Sequence, residues 1–478
     1  MSTSTVNNQS SLNEELHREQ HKKYITDIFN QNAFTPIKLS SVLVDGGEQV
    51  RDDLLQKYVD STLSRATNFK QLCNESDNLA KKLVQHGIVE DISQNFTTRG
   101  SVKYPLLKTR YPAQIYRNSD VPDAVSVVDI ISHIKLIPLK KFMAKTGTNI
   151  GNGEGDGYLQ FQFRNIFGGG EQLKLDITKG TATHSSYLLS YTQPVTPNWV
   201  SDSIAYKNSR QLGTSIDMIV TGLRSSVRGN FDDFEKLKQE FYLEGILRKT
   251  KLTASNCSDS LLFQAGSDAK LTIGHSISWD TRDVPVTPNK GNLLKISNEL
   301  ALNQYFKSQM EFSSSKSWYQ DNFFTLMGTY KFGWITKIDD NDKPLHISDK
   351  FHLGGSNDVR GFQLMGLGPK QINDAIGGDM FSAYGISLFS KLPFKKFSDS
   401  NFRLHAFFNG GKLVNQNTNT FDRNLQSLFK ENSLAIGTGI IFKHPVARFE
   451  LNFTLPLTSY STDHVRKGFQ YGIGMSFL

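Results

Sequence analysis

From Lys140 to the end of the chain, apolar and polar residues alternate with a period of two. Between Ala447 and Leu455, Phe449, Leu451 and Phe453 share one face, and Arg448, Glu450, Asn452 and Thr454 share the other. Near the C-terminus Phe469, Tyr471, Ile473, Met475 and Phe477 alternate with Gly468, Gln470, Gly472, Gly474 and Ser476. Leu159, Phe161 and Phe163 stand against Gln160, Gln162 and Arg164, and Leu173, Leu175 and Ile177 against Lys174, Asp176 and Thr178. Lys270 to Trp279 and Lys307 to Ser313 repeat the pattern. This period marks β-strands with unlike faces, and a water-soluble sandwich would also show it. Two features favour a membrane barrel. The segments run to about ten residues, the length that crosses a bilayer at a tilt. Their polar faces are Gly, Ser, Gln or charged, as a wet lumen requires. About sixteen such segments fit between Lys140 and Leu478. The expected fold class is therefore mainly β, with a C-terminal antiparallel transmembrane β-barrel of about 16 strands over residues 139–478.

The pattern differs ahead of the barrel. Residues 1–33 are polar, with Glu14, Glu15, Glu19 and Asp27, and read as a disordered leader. They lack the apolar core of a secretory signal and are too acidic for a typical mitochondrial presequence. Pro36 to Val44 alternates and ends at Gly46-Gly47, a strand and turn. Leu54, Leu55, Tyr58, Val59, Thr62 and Leu63 form one helical stripe within Arg51 to Ala66; Leu72, Leu79, Leu83 and Val84 form another within Phe69 to His86, stopped by Gly87. Strands are expected at Ile88 to Phe96 and Ala124 to Ile137. Thr97 to Asp123, with Pro105, Pro112 and Pro122, reads as a long loop. Residues 34–138 thus make a small α+β domain of order β-α-α-β-β.

Composition sharpens this picture. Hydrophobic residues are only 38%, with 33 Phe, 16 Tyr and 37 Gly. Mean hydropathy is −0.39, which suits a barrel because only alternate strand residues face lipid. No stretch reaches the roughly 18 apolar residues of a membrane helix, so a membrane-spanning form must be a closed sheet. Cys73 and Cys257 lie in different candidate domains, which argues against a disulfide framework. The net charge of +8 is spread thinly. No Lys/Arg stripe with interleaved aromatics is present, so no nucleic acid is expected as a partner. Gly151, Gly153, Gly155 and Gly157 suggest a hairpin turn, since no helix follows to receive a phosphate. Asp339-Asp340-Asn341-Asp342 lacks the glycine and final Glu of a calcium loop. His17 and His21 have no third ligand nearby. No catalytic residues, metal or cofactor are expected.

One interval breaks the rhythm. The Gly- and Asp-rich segment 338–379 is longer than most connections, and such lengths are usually functional or disordered. It contains Gly354-Gly355-Ser356-Asn357-Asp358-Val359-Arg360-Gly361-Phe362, followed by Gly366-Leu367-Gly368-Pro369. The run Val359, Arg360, Gly361, Phe362 resembles the loop-six motif of the BamA-type barrel assembly superfamily. The resemblance extends over nearly the whole chain, because the motif precedes the last barrel strands and follows a domain whose order is that of a POTRA. Phe402 to Val414, His444 to Leu457 and the Gly-rich C-terminus are similar to the mitochondrial sorting and assembly branch.

In that family the loop-six arginine lies in the lumen and is held by an Asp in an F-x-D-x-G motif. Here the strand reads Phe407-Phe408-Asn409-Gly410-Gly411, so Phe407, Asn409 and Gly411 occupy the motif and Asn409 replaces the Asp. A neutral amide accepts from a guanidinium more weakly than a carboxylate does. Arg360 is therefore expected to have a further partner: Asp358, Asp379 or Glu450. A simple plugging arginine is the plainer alternative.

The resemblance implies an insertase for β-barrel precursors in the mitochondrial outer membrane, with the POTRA in the intermembrane space and metaxin-related accessory subunits as partners, alongside membrane lipid. It implies a lateral seam between the first strand (Lys145, Thr146, Gly147, Thr148, Asn149) and the last. Gly147, Gly468, Gly472 and Gly474 are expected to weaken the two strands. The last strand also fits the family's β-signal, with Gln470, Gly472, Met475 and Phe477 in place. The alternatives are a protein-conducting channel of the same superfamily, or a passive pore, against which the long loop argues.

Overall fold

The computed structural model describes residues 23–478 except 25, 106–123, 152–153, 182, 213–215, 232–235, 254–257, 320–321, 339–343, 373, 394–399, 416–420, 445–446 and 475. Cys257, Met475, His17, His21 and the acidic run from Asp339 to Asp342 fall outside the described residues. The chain divides into two compact units.

The first unit holds residues 1–142 together with 163–172 and 193–197. Its sheet has the order β1 (Ile37–Asp45), β3 (Ala124–Pro138), β2 (Val89–Pro105). β1 runs parallel to β3, and β2 antiparallel to it. Helices α1 (Asp52–Ser61) and α2 (Phe69–Gln85) bury Leu54, Tyr58, Leu72, Leu79 and Leu83 with Ile130, Ile134 and Leu136. The Asn68 side chain caps α2 by accepting from the Gln71 amide at 2.8 Å, which satisfies one of the orphan donors of the first turn. Val84, placed on the apolar stripe by sequence, is 41% exposed. Burial pushes the Tyr58 phenol up from its ordinary pKa, and its hydroxyl bonds to the His86 ring at the end of α2.

Two expectations change in this unit. Residues 26–32, within the supposed leader, are helical, and Phe29 packs its ring on Phe69 at 5.8 Å. The expected loop from Thr97 instead continues β2 to Pro105. Its edge pairs with Ala124 to Ile131, and a bulge between Thr98 and Gly100 takes up the slip in register. Gly100 has φ +115° there, a value that a residue with a side chain adopts only under strain.

The second unit is built on one sixteen-stranded sheet, of which only the ends of β4 to β7 fall in the first unit. Its strands are β4 (Phe142–Gly151), β5 (Glu154–Arg164), β6 (Gln172–Gly180), β7 (Thr183–Thr196), β8 (Trp199–Leu212), β9 (Ile216–Asn230), β10 (Leu237–Leu252), β11 (Gly266–Asp280), β12 (Gly291–Ala301), β13 (Tyr305–Trp318) and β14 (Phe324–Lys337). After a long loop containing the short pair β15 (Lys370–Gln371) and β16 (Asp374–Ala375) come β17 (Met380–Lys391), β18 (Phe402–Val414), β19 (Ser433–Lys443), β20 (Arg448–Thr458) and β21 (Gly468–Gly474). Short helices α3 (Asp259–Leu262) and α4 (Phe421–Phe429) sit in two connections. Each strand pairs with its sequence neighbours, β14 pairs with β17 across the loop, and β21 and β4 stand at the two ends of the order.

The burial pattern is inside out relative to a soluble protein. Along β20, Arg448, Glu450, Asn452 and Thr454 are buried, while Phe449, Leu451, Phe453 and Leu455 are exposed. An exposed apolar face backed by a buried polar one is the design of a strand between lipid and lumen. The sheet curls round its contents: Ser476, just after β21, reaches Glu311 on β13 at 3.3 Å. Lys443 on β19 reaches Asn289, in the turn between β11 and β12, at 3.4 Å.

The lipid-facing assignment predicts that Leu451→Arg costs about 2–4 kcal/mol near the bilayer midplane. Urea unfolding of the barrel in lipid vesicles would measure it. A cost near zero would mean that this face does not meet hydrocarbon.

Candidate functional site

The connection 338–379 supplies the buried cluster of Leu345, Phe351, Leu353, Val359, Phe362 and Leu367, packed with Phe381, Leu413 and Ala435 of the strands. Gly361 shows why the turn tolerates little else. Its φ is +90°, and an added Cβ would lie 2.7 Å from the Ala435 methyl.

Arg360 is buried to 1% exposure and fully engaged. Its Nε donates to Glu450 Oε2 at 3.0 Å and its Nη2 to Glu450 Oε1 at 3.2 Å. Nη1 donates to the main-chain oxygen of Leu478 at 2.8 Å. The guanidinium lies over Phe407, 4.9 Å from the ring centre. Such a two-pronged charge-assisted pair fixes orientation as well as position. Of the three candidate partners, Glu450 takes the guanidinium. Asp358 accepts instead from the Gly354 amide at 3.0 Å, and Asp379 lies 3.6 Å from Lys350.

Asn409 does something other than substitute for the family's Asp. With its amide oriented to satisfy both neighbours, its oxygen accepts from the Arg360 backbone N–H at 2.8 Å, and its nitrogen donates to the Ala435 carbonyl at 3.3 Å. Gly411 leaves room for Val359, whose Cγ2 would be 3.3 Å from a Cβ placed there. The Phe407, Asn409 and Gly411 positions thus carry the ring, the backbone clamp and the gap against which the loop packs.

Arg448 shares the same carboxylate, with Nη2 2.6 Å from Glu450 Oε1. Asn452 donates to Glu450 Oε2 at 2.8 Å, and His405 bonds to Asn452 Oδ1 at 2.9 Å. One carboxylate therefore collects two guanidinium groups and an amide. Sharing lets it compensate buried charges that would otherwise be costly.

The loop also touches the last strand. The Gly361 amide donates to Gln470 Oε1 at 3.1 Å, and Asn357 Nδ2 donates to the Ile473 carbonyl at 2.8 Å. A Cβ on Gly472 would fall 2.6 Å from Asn357 Oδ1, and one on Gly474 3.0 Å from Asn357 Nδ2. Asn357 is a contact that the sequence reading missed; only its place beside the Arg360 motif hinted at it.

The end of the chain departs from the expected alternation. Among the described residues the β21 ladder runs from Gly468 to Gly474. Phe477 does not join Phe469 and Tyr471 on the exposed face but is 2% exposed. It lies 4.0 Å beneath the Arg448 guanidinium and 5.5 Å from that of Arg360. Cation–π attraction to two desolvated arginines outweighs the alternation of the strand. Met475 lies outside the described residues.

At the other end of the sheet, Lys145, Thr146, Gly147, Thr148 and Asn149 all lie in β4. Thr146 donates its hydroxyl to the Tyr158 carbonyl at 3.0 Å. Gly147 has a specific packing role there, because the Tyr158 hydroxyl would stand 2.8 Å from a Cβ at this position. No metal-binding group of His, Cys, Asp and Glu occurs among the described residues.

A lumen-anchored loop in a sixteen-stranded sheet defines the class of outer-membrane-type barrels. Residues 165–477 match the Omp85 superfamily domain. The chain is 36% identical to the sorting assembly machinery 50 kDa subunit of Saccharomyces cerevisiae over the full length of both. It is 27% identical to the sorting and assembly machinery component 50 homolog B of Xenopus laevis, covering 92% of this chain and 91% of the other. The fold is similar to the crystal structure of BamA from Haemophilus ducreyi lacking POTRA domains 1–3, with a TM-score of 0.69 and 16% identity over 91% of this chain and 84% of that one. The chain belongs to the sorting assembly machinery 50 kDa subunit family within the Omp85 superfamily.

The shared carboxylate makes Glu450→Ala the informative change. It should destabilise the barrel by about 3–5 kcal/mol, the cost of breaking a buried pair, and free Arg360; Glu450→Gln should cost less. Urea midpoints of the refolded barrels would show the difference. An unaltered midpoint for Glu450→Ala would mean that the loop is held elsewhere.

Proposed function

We propose that this protein inserts and folds β-barrel precursors in the mitochondrial outer membrane, by templating the incoming strand at the seam between β4 and β21. The relatives are named as parts of a sorting and assembly machinery, and the proposal carries that role to this chain. The observation that supports the seam is the state of β21. It is an end strand of the sheet with a ladder of seven residues. Loop contacts at Gln470, Gly472 and Ile473 hold its lumen side.

A strand entering hydrocarbon with free amides loses several kcal/mol at each orphan group. Pairing with an exposed edge as it enters removes that cost. β4, at one end of the sheet order, supplies such an edge, and β21, at the other end, holds the position that the incoming strand takes. A precursor signal with a polar residue and a glycine at the Gln470 and Gly472 positions would meet the Gly361 amide and Asn357 in the same way. Exchange then replaces one set of hydrogen bonds by another, so the net change is small.

The N-terminal unit is read as the single POTRA domain, facing the intermembrane space. A groove of about 1190 Å³ runs along the open edge of β1 and α1, which suits an extended chain. The accessory partners are metaxin-related subunits. The loop held inside the barrel at Arg360 weighs against a passive pore, and the pairing at the seam separates the insertase from the protein-conducting alternative.

Disulfide trapping in isolated mitochondria tests the seam. Cysteines would go in place of Thr146 or Asn149 and into the signal of an arriving precursor, with Cys73 and Cys257 changed to serine. Crosslinks that vanish when the signal is mutated are expected. Crosslinks confined to lumen positions such as Ser387 would favour the channel.

A further inference from the structure

A second buried charge cluster lies apart from the Arg360 site and is absent from the mechanism above. It centres on Asp349, 5% exposed, at the base of the 338–379 loop. Its Oδ2 accepts from Arg248 Nη1 on β10 at 2.6 Å, and its Oδ1 from Lys270 Nζ on β11 at 2.9 Å. Its main-chain carbonyl accepts from Lys307 Nζ on β13 at 2.8 Å. Each of the first two bases has a further acid on the wall: Arg248 pairs with Asp268, and Lys270 lies 3.0 Å from Glu299. Tyr305 donates to Glu299 at 2.7 Å, and His346 bonds to Thr250 at 3.1 Å.

The wall pairs Arg248–Asp268 and Lys270–Glu299 therefore stand without the loop, and Asp349 is the plug that the loop adds to them. Arg360, a short stretch further on, is fixed to β20. In the sheet order, β12, β13, β14, β17, β18 and β19 separate β11 from β20. We infer that Asp349 is a positioning residue: a second anchor that makes the loop a strut across the lumen and sets where Asn357 and Gly361 meet β21. The part of this inference that concerns insertion rests on the function proposed above. The anchoring itself does not.

The test is hydrogen exchange of the full-length protein in lipid nanodiscs, alongside precursor assembly in mitochondria carrying the same variants. Asp349→Asn keeps the shape and removes the charge. Residues 347–353 should then exchange about tenfold faster or more, with β10 and β11 unchanged, and Asp349→Glu should keep most of the protection. Assembly should slow by about tenfold in Asp349→Asn while the abundance of the protein stays level. Unchanged exchange at 347–353 would overturn the anchor. Faster exchange in every strand would overturn it too, because Asp349 would then hold the barrel rather than the loop. A loosened loop with normal assembly would refute the positioning role and leave the seam proposal to its own crosslinks.

Discussion

A backbone amide in hydrocarbon has no water to bond, and the rest of this structure follows from that constraint. It requires a sheet in which every strand has a neighbour on both sides. Fourteen of the sixteen strands meet it within the order, and β4 and β21 are left at its ends. Free sheet edges are liabilities that proteins usually blunt or cover. Here the last strand is short in its ladder to β20, bears against a lumen loop through two glycines, and ends in residues that turn inward. Those features suit a strand held from the lumen side.

The lumen is the second consequence. Turning lipid-compatible side chains outward leaves the polar faces of sixteen strands to be satisfied inside. Fixed charge pairs meet part of that demand. Arg360, Arg448 and Glu450 form one group; Asp349, Arg248, Lys270, Asp268 and Glu299 form another. A buried pair is weak evidence for net stability, but breaking one is expensive. Such pairs therefore serve better as position markers than as glue. Arginine suits the role at 360 because its planar fork matches a carboxylate in two places and still stacks on Phe407. The turn between β11 and β12 adds to the filling, with Val286 buried and Asn289 bonded to Lys443.

Much of the fold could be read from the sequence, because the signal was repeated in every strand. Alternation such as Phe449, Leu451 and Phe453 against Arg448, Glu450 and Asn452 fixes which face is lipid and which is lumen, and no long-range knowledge is needed. The β2 extension was hidden because Pro105 and the proline-rich stretch after it suggest a loop, whereas the pairing with β3 that makes it a strand is tertiary. The inward turn of Phe477 was hidden for the same reason. Its partners Arg448 and Arg360 are distant in sequence, and its local pattern predicted the opposite face. Asp349 had no local signal at all, since its three bases come from three different strands.

The departure at Asn409 shows how a motif can keep its geometry while its chemistry moves. A buried Asp beside Arg360 would offer charge to the guanidinium. Asn409 instead faces one donor and one acceptor, the Arg360 amide and the Ala435 carbonyl. A neutral amide satisfies both, and a carboxylate would satisfy only the first. The charge for the guanidinium is supplied two strands away in sheet order by Glu450, which Arg448 and Asn452 help to orient. The loop is consequently held at Arg360 by its backbone to β18 and by its side chain to β20. That places the Gly361 amide and Asn357 against β21, where Gly472 and Gly474 leave the space they need. A side chain at Gly472 would have to push the Asn357 amide aside. At Gly472 and Gly474 the missing side chain thus serves the loop, whereas Gly468 serves the strand's own backbone, with φ +109°.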